Sequence, residues 1–473
     1  MATPSSDRLT VLSVLRLGLF QGCLGCLAVI FAGLFNRVMI TELNVPGLVV
    51  GGALAFEQFV APSRVLFGQI SDAHPLVRRH RSPYVLIGTA LFCSLAVASV
   101  PVIFTVSGVL ADGAPAFQRL AAIGGLCGLF ALYGLAISMA STPYLALVID
   151  RTQESERPRA VAIIWCMLTV GIIVGAIAIS ISLRSLDGVS DPAVLEPTLQ
   201  RFMVRVAAIV MALTVLALWG MERPTSPDRL RSSGSTPAPA PSASEESVTL
   251  RQSWALITSS RQVLIFFSFL ILFTLGLFLQ DPVLESYGAQ VFGMPIAATA
   301  QLNAFWATGT LTGLLLAGLL IVPRLGKLPT ARLGCRLIAA SLLLLMACGA
   351  TRSVALLQLV MVLFGLASGI GTNSALCLML DLTLPQAAGT FVGVWGLAQA
   401  LSRALGKILG GGLYDLGRLL PFGDVPLTPF LLVFGVELLI ALSALVLLDR
   451  VNLGQFRQDT GRSLQKVLAM ELG

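Results

Sequence analysis

Long runs of apolar residues alternate with short polar segments along the whole chain. A helix rises about 1.5 Å per residue, so roughly 20 apolar residues cross the hydrocarbon layer of a bilayer. Runs of that kind lie near residues 10–36, 48–70, 83–106, 120–149, 160–184, 201–220, 262–280, 296–322, 333–350, 354–380, 389–412 and 428–449. Gly and Pro interrupt several of them, which spanning helices tolerate. The pattern predicts an all-α integral membrane protein with twelve transmembrane helices. Asp7 and Arg8 followed by a long apolar run predict a first helix rather than a cleavable signal.

The chain also repeats itself. Gly33-Leu-Phe is followed by Glu42, and Gly276-Leu-Phe by Glu285 at the same distance. Pro46 precedes Phe56 as Pro295 precedes Phe305; Asp150 and Thr152 lead to Trp165 as Asp381 and Thr383 lead to Trp395. Matches in this order predict two pseudo-symmetric six-helix halves, residues 1–223 and 262–450. Between them, residues 224–247 are rich in Pro, Ser and Ala and predict a disordered linker. Leu250, Trp254 and Ile257 then recur at helical spacing, so residues 224–261 read as linker plus a helix on the membrane surface. Residues 451–473 read as a tail.

Composition agrees. Only 12% of residues are charged, against about 25% in an ordinary soluble domain, which leaves too little polar surface for solubility. The net charge of +7 is not gathered in one basic domain, so nucleic acid is not the implied partner. The basic residues fall in alternate loops: Arg78, Arg79 and Arg81; Arg151, Arg157 and Arg159; Arg223, Arg229 and Arg231; Arg324, Lys327, Arg332 and Arg336. That alternation predicts both termini on the cytoplasmic side. The loop expected between helices 5 and 6, with Arg184, Arg201 and Arg205, runs against it.

The chemistry-bearing residues are few. Gln21 is the mid-helix polar group of helix 1, whose Gly18, Gly22, Gly25 and Gly33 form a small face suited to close packing. Cys23 and Cys26 make a CxxC with no second pair, which reads as packing and not as a metal or redox site. Glu57 and Arg64, seven residues apart, share a face of a continuous helix 2, about 10 Å apart along its axis. Such charges inside a membrane face the protein interior or a wet cavity. Helix 8 offers Asn303 and Trp306, the latter where helix 2 has Glu57. Helix 11 carries Arg403 and Lys407, which need partners: Glu437, Asp415 or an anionic ligand. No Ser/His/Asp set, metal cluster or phosphate loop appears, so an enzyme is not implied.

The stretch GQISDAHPLVRRHRSPY, residues 68–84, resembles the Gly-x-x-x-Asp…Arg-Arg loop of the major facilitator superfamily. More closely, GLFNRVMITEL, AFEQFVAPSRVLFGQISD, RRHRSPYVLIGT and LQDPVLESYGAQVFGM resemble the PucC/LhaA family, the bacteriochlorophyll-delivery branch of that superfamily. The resemblance covers both halves. RRHRSP departs from the Gly-x-Arg-Arg-x-Pro form of purple-bacterial members, which leaves open the antenna served. The resemblance implies the facilitator fold and a role in assembling light-harvesting complexes in a photosynthetic or cytoplasmic membrane. It also implies chlorophyll or bacteriochlorophyll as a transient ligand, with antenna or photosystem subunits and the pigment-synthesis machinery as partners. No intrinsic cofactor is implied. Gln21, Glu57 and Asn303 are the mid-membrane candidates for a pigment's magnesium, because no histidine lies in a span. Two other readings stay open: a small-solute symporter, with Glu57 as the coupling carboxylate, and a non-transporting scaffold for nascent antenna helices. In a facilitator fold, Asp72, Arg78, Arg79, Arg81, Asp150, Arg151 and Asp381 are expected to form a cytoplasmic gate. Arg37 with Asp281 or Glu285 is expected to latch the outer mouth.

Overall fold

The computed structural model describes residues 11–74, 76, 79–152, 157–189, 191–222, 261–382, 388–423 and 425–451. The expected linker, surface helix and tail lie outside them. The described chain is helical apart from one isolated bridge between Leu76 and Arg79. The first helix, α1 (Val11–Val29), runs on through wide π turns at Ile30–Phe35 and Val38–Glu42. It is followed by α2 (Gly47–Phe59), α3 (Ser63–Ala73), α4 (Ser82–Ala111), α5 (Ala116–Arg151), α6 (Arg157–Ser182) and α7 (Pro192–Leu218). Then come α8 (Arg261–Phe278), α9 (Leu284–Phe292) and α10 (Ile296–Leu316), the last prolonged through Ala317–Ile321 and Val322–Leu325. The chain closes with α11 (Lys327–Thr351), α12 (Val354–Leu382), α13 (Ala388–Arg418) and α14 (Thr428–Asp449).

Among the described residues nine helices are long and apolar enough to cross a membrane. The other three expected spans are helical too. One is the α2–α3 pair; α8 has a shorter apolar part, Leu264–Phe278; and α13 is interrupted by charge. Inside lipid every backbone group must be satisfied within the protein, and helices achieve this locally. Side-chain hydroxyls do the same: Thr89, Ser138, Thr214, Ser368 and Ser374 each donate to the carbonyl one turn back.

Three boundaries depart from the apolar pattern. The second span breaks at Val60–Pro62, because Pro62 brings no N–H and Ser63 N bonds back to Val60 O at 3.0 Å. α7 starts nine residues earlier than the apolar run, capped by Asp191, whose Oδ1 accepts from Ala193 N at 2.9 Å, so Arg201 and Arg205 sit on the helix and not in a loop. The first helix does not end at Asn36: Asn36 and Arg37 are inside it and buried.

The chain forms two compact units, Met1–Pro237 with Met294–Ala304, and Ala238–Gly293 with Phe305–Gly473. In the first, α1 packs on α6 and α7, α4 packs on α5 and α7, and α2 and α3 pack on α5. In the second, α8 packs on α13 and α14, and α11 packs on α12 and α14. Four of these pairings correspond one to one, so the sequence repeat is also a repeat of packing. The first unit is held where glycines let backbones touch. A methyl on Gly171 of α6 would collide with Gly22 O of α1, and one on Gly25 would collide with Leu168 O. Gly175 packs against Cys26 of the CxxC. In the second unit Gly309 and Gly313 of α10 mesh with Gly365 and Gly369 of α12 in the same way. Its core is aromatic: Phe266, Phe269 and Phe273 of α8 pack with Phe364, Ala441 and Ala444.

Candidate functional site

At the basic end of the first unit, α4 begins with backbone amides that no turn of its own can satisfy. Glu222, four residues beyond α7, fills that place. Its Oε1 accepts from His80 N at 2.7 Å and Arg81 N at 2.9 Å, and its Oε2 from Ser82 N at 2.6 Å. A carboxylate here also meets the positive end of the helix dipole. Burial works against its charge, but the hydrogen bonds from Ser82, Arg81 and His80 outweigh it and hold the group below the usual carboxylate range. Glu222 was not a candidate from sequence. Beside it, Arg81 Nε meets Asp150 Oδ2 at 3.2 Å and Arg81 Nη1 donates to Ser71 Oγ at 2.9 Å. Tyr84 donates to His74 O at 2.7 Å, closing the loop over α3. Arg79 sits in the tight turn with Leu76, and Arg151 ends α5 half-buried. Arg78 and the side chains of Asp72 and Asp381 lie outside the described residues. Asp150 is half exposed, so Asp150→Asn is expected to shift stability by under about 1 kcal/mol, seen as a small change in melting temperature.

At the other end of the same unit, Arg37 is 4% exposed. It donates to Thr299 Oγ1 and pairs with Glu42 at 3.3 Å. Nearby, Gln301 Nε2 donates to Ser180 Oγ at 2.8 Å. The π turns place Arg37 on the buried side, where an interfacial anchor would point outward. Asp281 and Glu285 belong to the second unit; Asp281 lies in the break after α8, and Glu285 is buried on α9.

The mid-membrane candidates fall into two groups. In the first unit Gln21 is 8% exposed and has no hydrogen-bond partner among the described residues. Glu57 is half-buried and receives Gln58 Nε2 at 3.5 Å. Arg64 lies past the helix break, exposed, so the shared face with Glu57 does not form. Asn303 is half-buried and engaged. In the second unit the Trp306 indole N–H is buried with no acceptor among the described residues. Arg403 lies over the Phe278 ring, 4.7 Å from its centroid. Lys407 is 8% exposed with no hydrogen bond or ion pair among the described residues. Among the described residues neither cation hydrogen-bonds to Glu437, one of the three partners the sequence offered. In the first unit the Gln21 amide, and in the second the Trp306 indole N–H and the Lys407 ammonium, are each donors in apolar surroundings that a carbonyl or carboxylate group can meet. Both histidines, His74 and His80, lie between α3 and α4 and not in a span.

The family model described as "PUCC protein" matches residues 34–456. An "Uncharacterized protein in puhA-bchM intergenic region" of Rhodobacter capsulatus is 31% identical over 88% of this chain and 82% of its own length. A "Bacteriochlorophyll synthase 44.5 kDa chain" of Rhodobacter capsulatus is 31% identical over 92% of this chain and 94% of its own. Among solved structures, the nucleoside transporter NupG superposes with a TM-score of 0.65 at 14% identity, over 92% of this chain and 98% of that one. The fold is that of the major facilitator superfamily, as the packing repeat requires, and with the match running through both units, the chain belongs to the PUCC protein family.

Proposed function

We propose that this chain is a membrane assembly factor for light-harvesting antenna complexes and that it handles chlorophyll or bacteriochlorophyll as cargo. Its membership of the PUCC family over residues 34–456 carries the reading. The names of its relatives place them in bacteriochlorophyll biology. The chemistry of the spans is compatible: a pigment offers keto and ester carbonyls, and Gln21, Trp306 and Lys407 offer donors in apolar surroundings. Gln21, Glu57 and Asn303 are oxygen-bearing candidates for the magnesium of such a cargo. Antenna or photosystem subunits and pigment-synthesis enzymes are the proposed partners, in a photosynthetic or cytoplasmic membrane with both termini cytoplasmic. The chain is read as a carrier or scaffold and not as a catalyst, in keeping with its facilitator fold.

The test is the visible absorption spectrum of the protein purified from a pigment-making host. A pigment band that co-purifies, and falls several-fold in a Gln21→Leu or a Lys407→Leu variant, is the expected result. A colourless protein that accumulates a small solute in vesicles would instead favour the symporter reading, which the similarity to a nucleoside transporter keeps in play. A colourless protein that takes up no solute and still binds antenna polypeptides would favour the scaffold.

A further inference from the structure

Glu437 is fully buried at the middle of α14, and among the described residues neither of its carboxylate oxygens has a hydrogen-bond partner in good geometry. The donors that face it are the backbone N–H groups of Leu279 and Gln280, beside Asp281, at the break between α8 and α9. The Gln280 amide at the same break donates through Nε2 to Leu277 O at 3.1 Å, while its Oε1 is buried and without a donor. Among the described residues, three buried oxygens on these two side chains therefore have no well-formed hydrogen bond. Flipping the Gln280 amide gives no remedy, because it would turn Oε1 against the Leu277 carbonyl.

The charged and titratable groups on the elements packed around α14 do not compensate Glu437. On α13, Arg403 is taken by Phe278, and neither Lys407 nor Tyr414 bonds to Glu437; Tyr414 donates to Gln290 at 2.9 Å. On α11, Arg332 pairs with Asp449 at the end of α14, 2.6 Å away, and Arg336 and Cys335 make no bond to Glu437. On α9, Tyr287 packs on Phe430 and Phe434 but donates to Leu345 O, and Glu285 is itself acidic. Asp281, in the break, adds a like charge.

An isolated carboxylate in such a place is strongly unfavourable, so it must be neutralised. A metal ion needs a cage of oxygen ligands, and the described residues gather no group of three or more His, Cys, Asp or Glu. We propose that Glu437 is a proton-binding site: it is held as a carboxylic acid, which removes the buried charge next to Asp281. Proton loss leaves a bare carboxylate beside Asp281 and loosens the break between α8 and α9. The facilitator cycle is thereby linked to protons, whatever the cargo.

Infrared spectra of the full-length protein in lipid nanodiscs test this. Wild type labelled with carboxyl-¹³C glutamate is expected to show an isotope-shifted carboxylic-acid C=O band at neutral pH, and E437Q is expected to lack that band while keeping wild-type helicity. Absence of a labelled acid band from the wild type overturns the proposal without recourse to any variant. A band that survives unchanged in a folded E437Q protein overturns it too, by assigning the proton elsewhere. Because no pigment or antenna polypeptide enters the measurement, a negative result leaves the assembly-factor reading untouched.

Discussion

Gly171→Ala is expected to abolish folding of the first unit, read as loss of the monodisperse peak after detergent extraction and a collapse of the melting transition. The added methyl would meet Gly22 O, C and Cα, all backbone atoms of α1. A flexible side chain could swing away; a helix backbone cannot, so the two helices must separate along their whole contact. Overpacking of a close core costs about 1–3 kcal/mol even where side chains yield, and here they do not. Membrane helices associate through van der Waals contact, with no hydrophobic gain between them to compensate for a gap. The control is Gly124→Ala or Gly128→Ala on α5, where a methyl meets nothing within 4 Å and the melting curve should not move. If Gly171→Ala melts like these controls, the α1–α6 crossing is not the joint that holds the first unit.

Glu222→Ala is expected to cost about 2 kcal/mol, because three amides at the start of α4 lose their only acceptor. The figure is below that for three charge-assisted bonds because the carboxylate is only half-buried. The pH dependence follows from its lowered pKa. A carboxylate that is more acidic in the folded state stabilises fully above its unfolded value, about 4.3. That contribution disappears as pH falls through the lower folded value, where the native group also takes a proton. Melting temperature recorded from neutral to acid pH should therefore fall on the acid side in wild type. Glu222→Ala should start lower and lose less. Parallel curves for the two proteins would show that Glu222 carries no charge-dependent stability.

The parts of this structure that sequence exposes are those written in side-chain size and charge. Glycines at helical spacing announced the small face of α1, which Gly171 and Gly175 of α6 meet in the structure, because in lipid only small residues let backbones meet. What sequence hides depends on the backbone. Pro62 ends a helix, yet Pro101 in α4 and Pro143 in α5 do not, so proline alone could not show that Glu57 and Arg64 stand on separate helices. Phe278 reads as apolar in the sequence, yet its ring face attracts the Arg403 guanidinium, an interaction that charge complementarity does not disclose. Glu222 escaped for a related reason. Its partners are amides of the main chain, and a stretch of basic side chains says nothing about them.

The wide turns of α1 have a counterpart elsewhere in the chain. Gly33-Leu-Phe…Glu42 and Gly276-Leu-Phe…Glu285 share their first three residues and their last at equal spacing, yet their backbones differ. The first stays wound, with its surplus taken up in π turns; the second leaves the helix at Leu279 and resumes at Leu284. Pro282 falls where the first copy has Met39, and it removes an N–H that a continuous helix would use. All six positions between the shared Gly-Leu-Phe and Glu differ, and among them the proline is the one that cannot take part in a wound helix. The equal spacing of the shared residues therefore says nothing of the path between them: the copy without proline is a wound rod, and the copy with it has a joint.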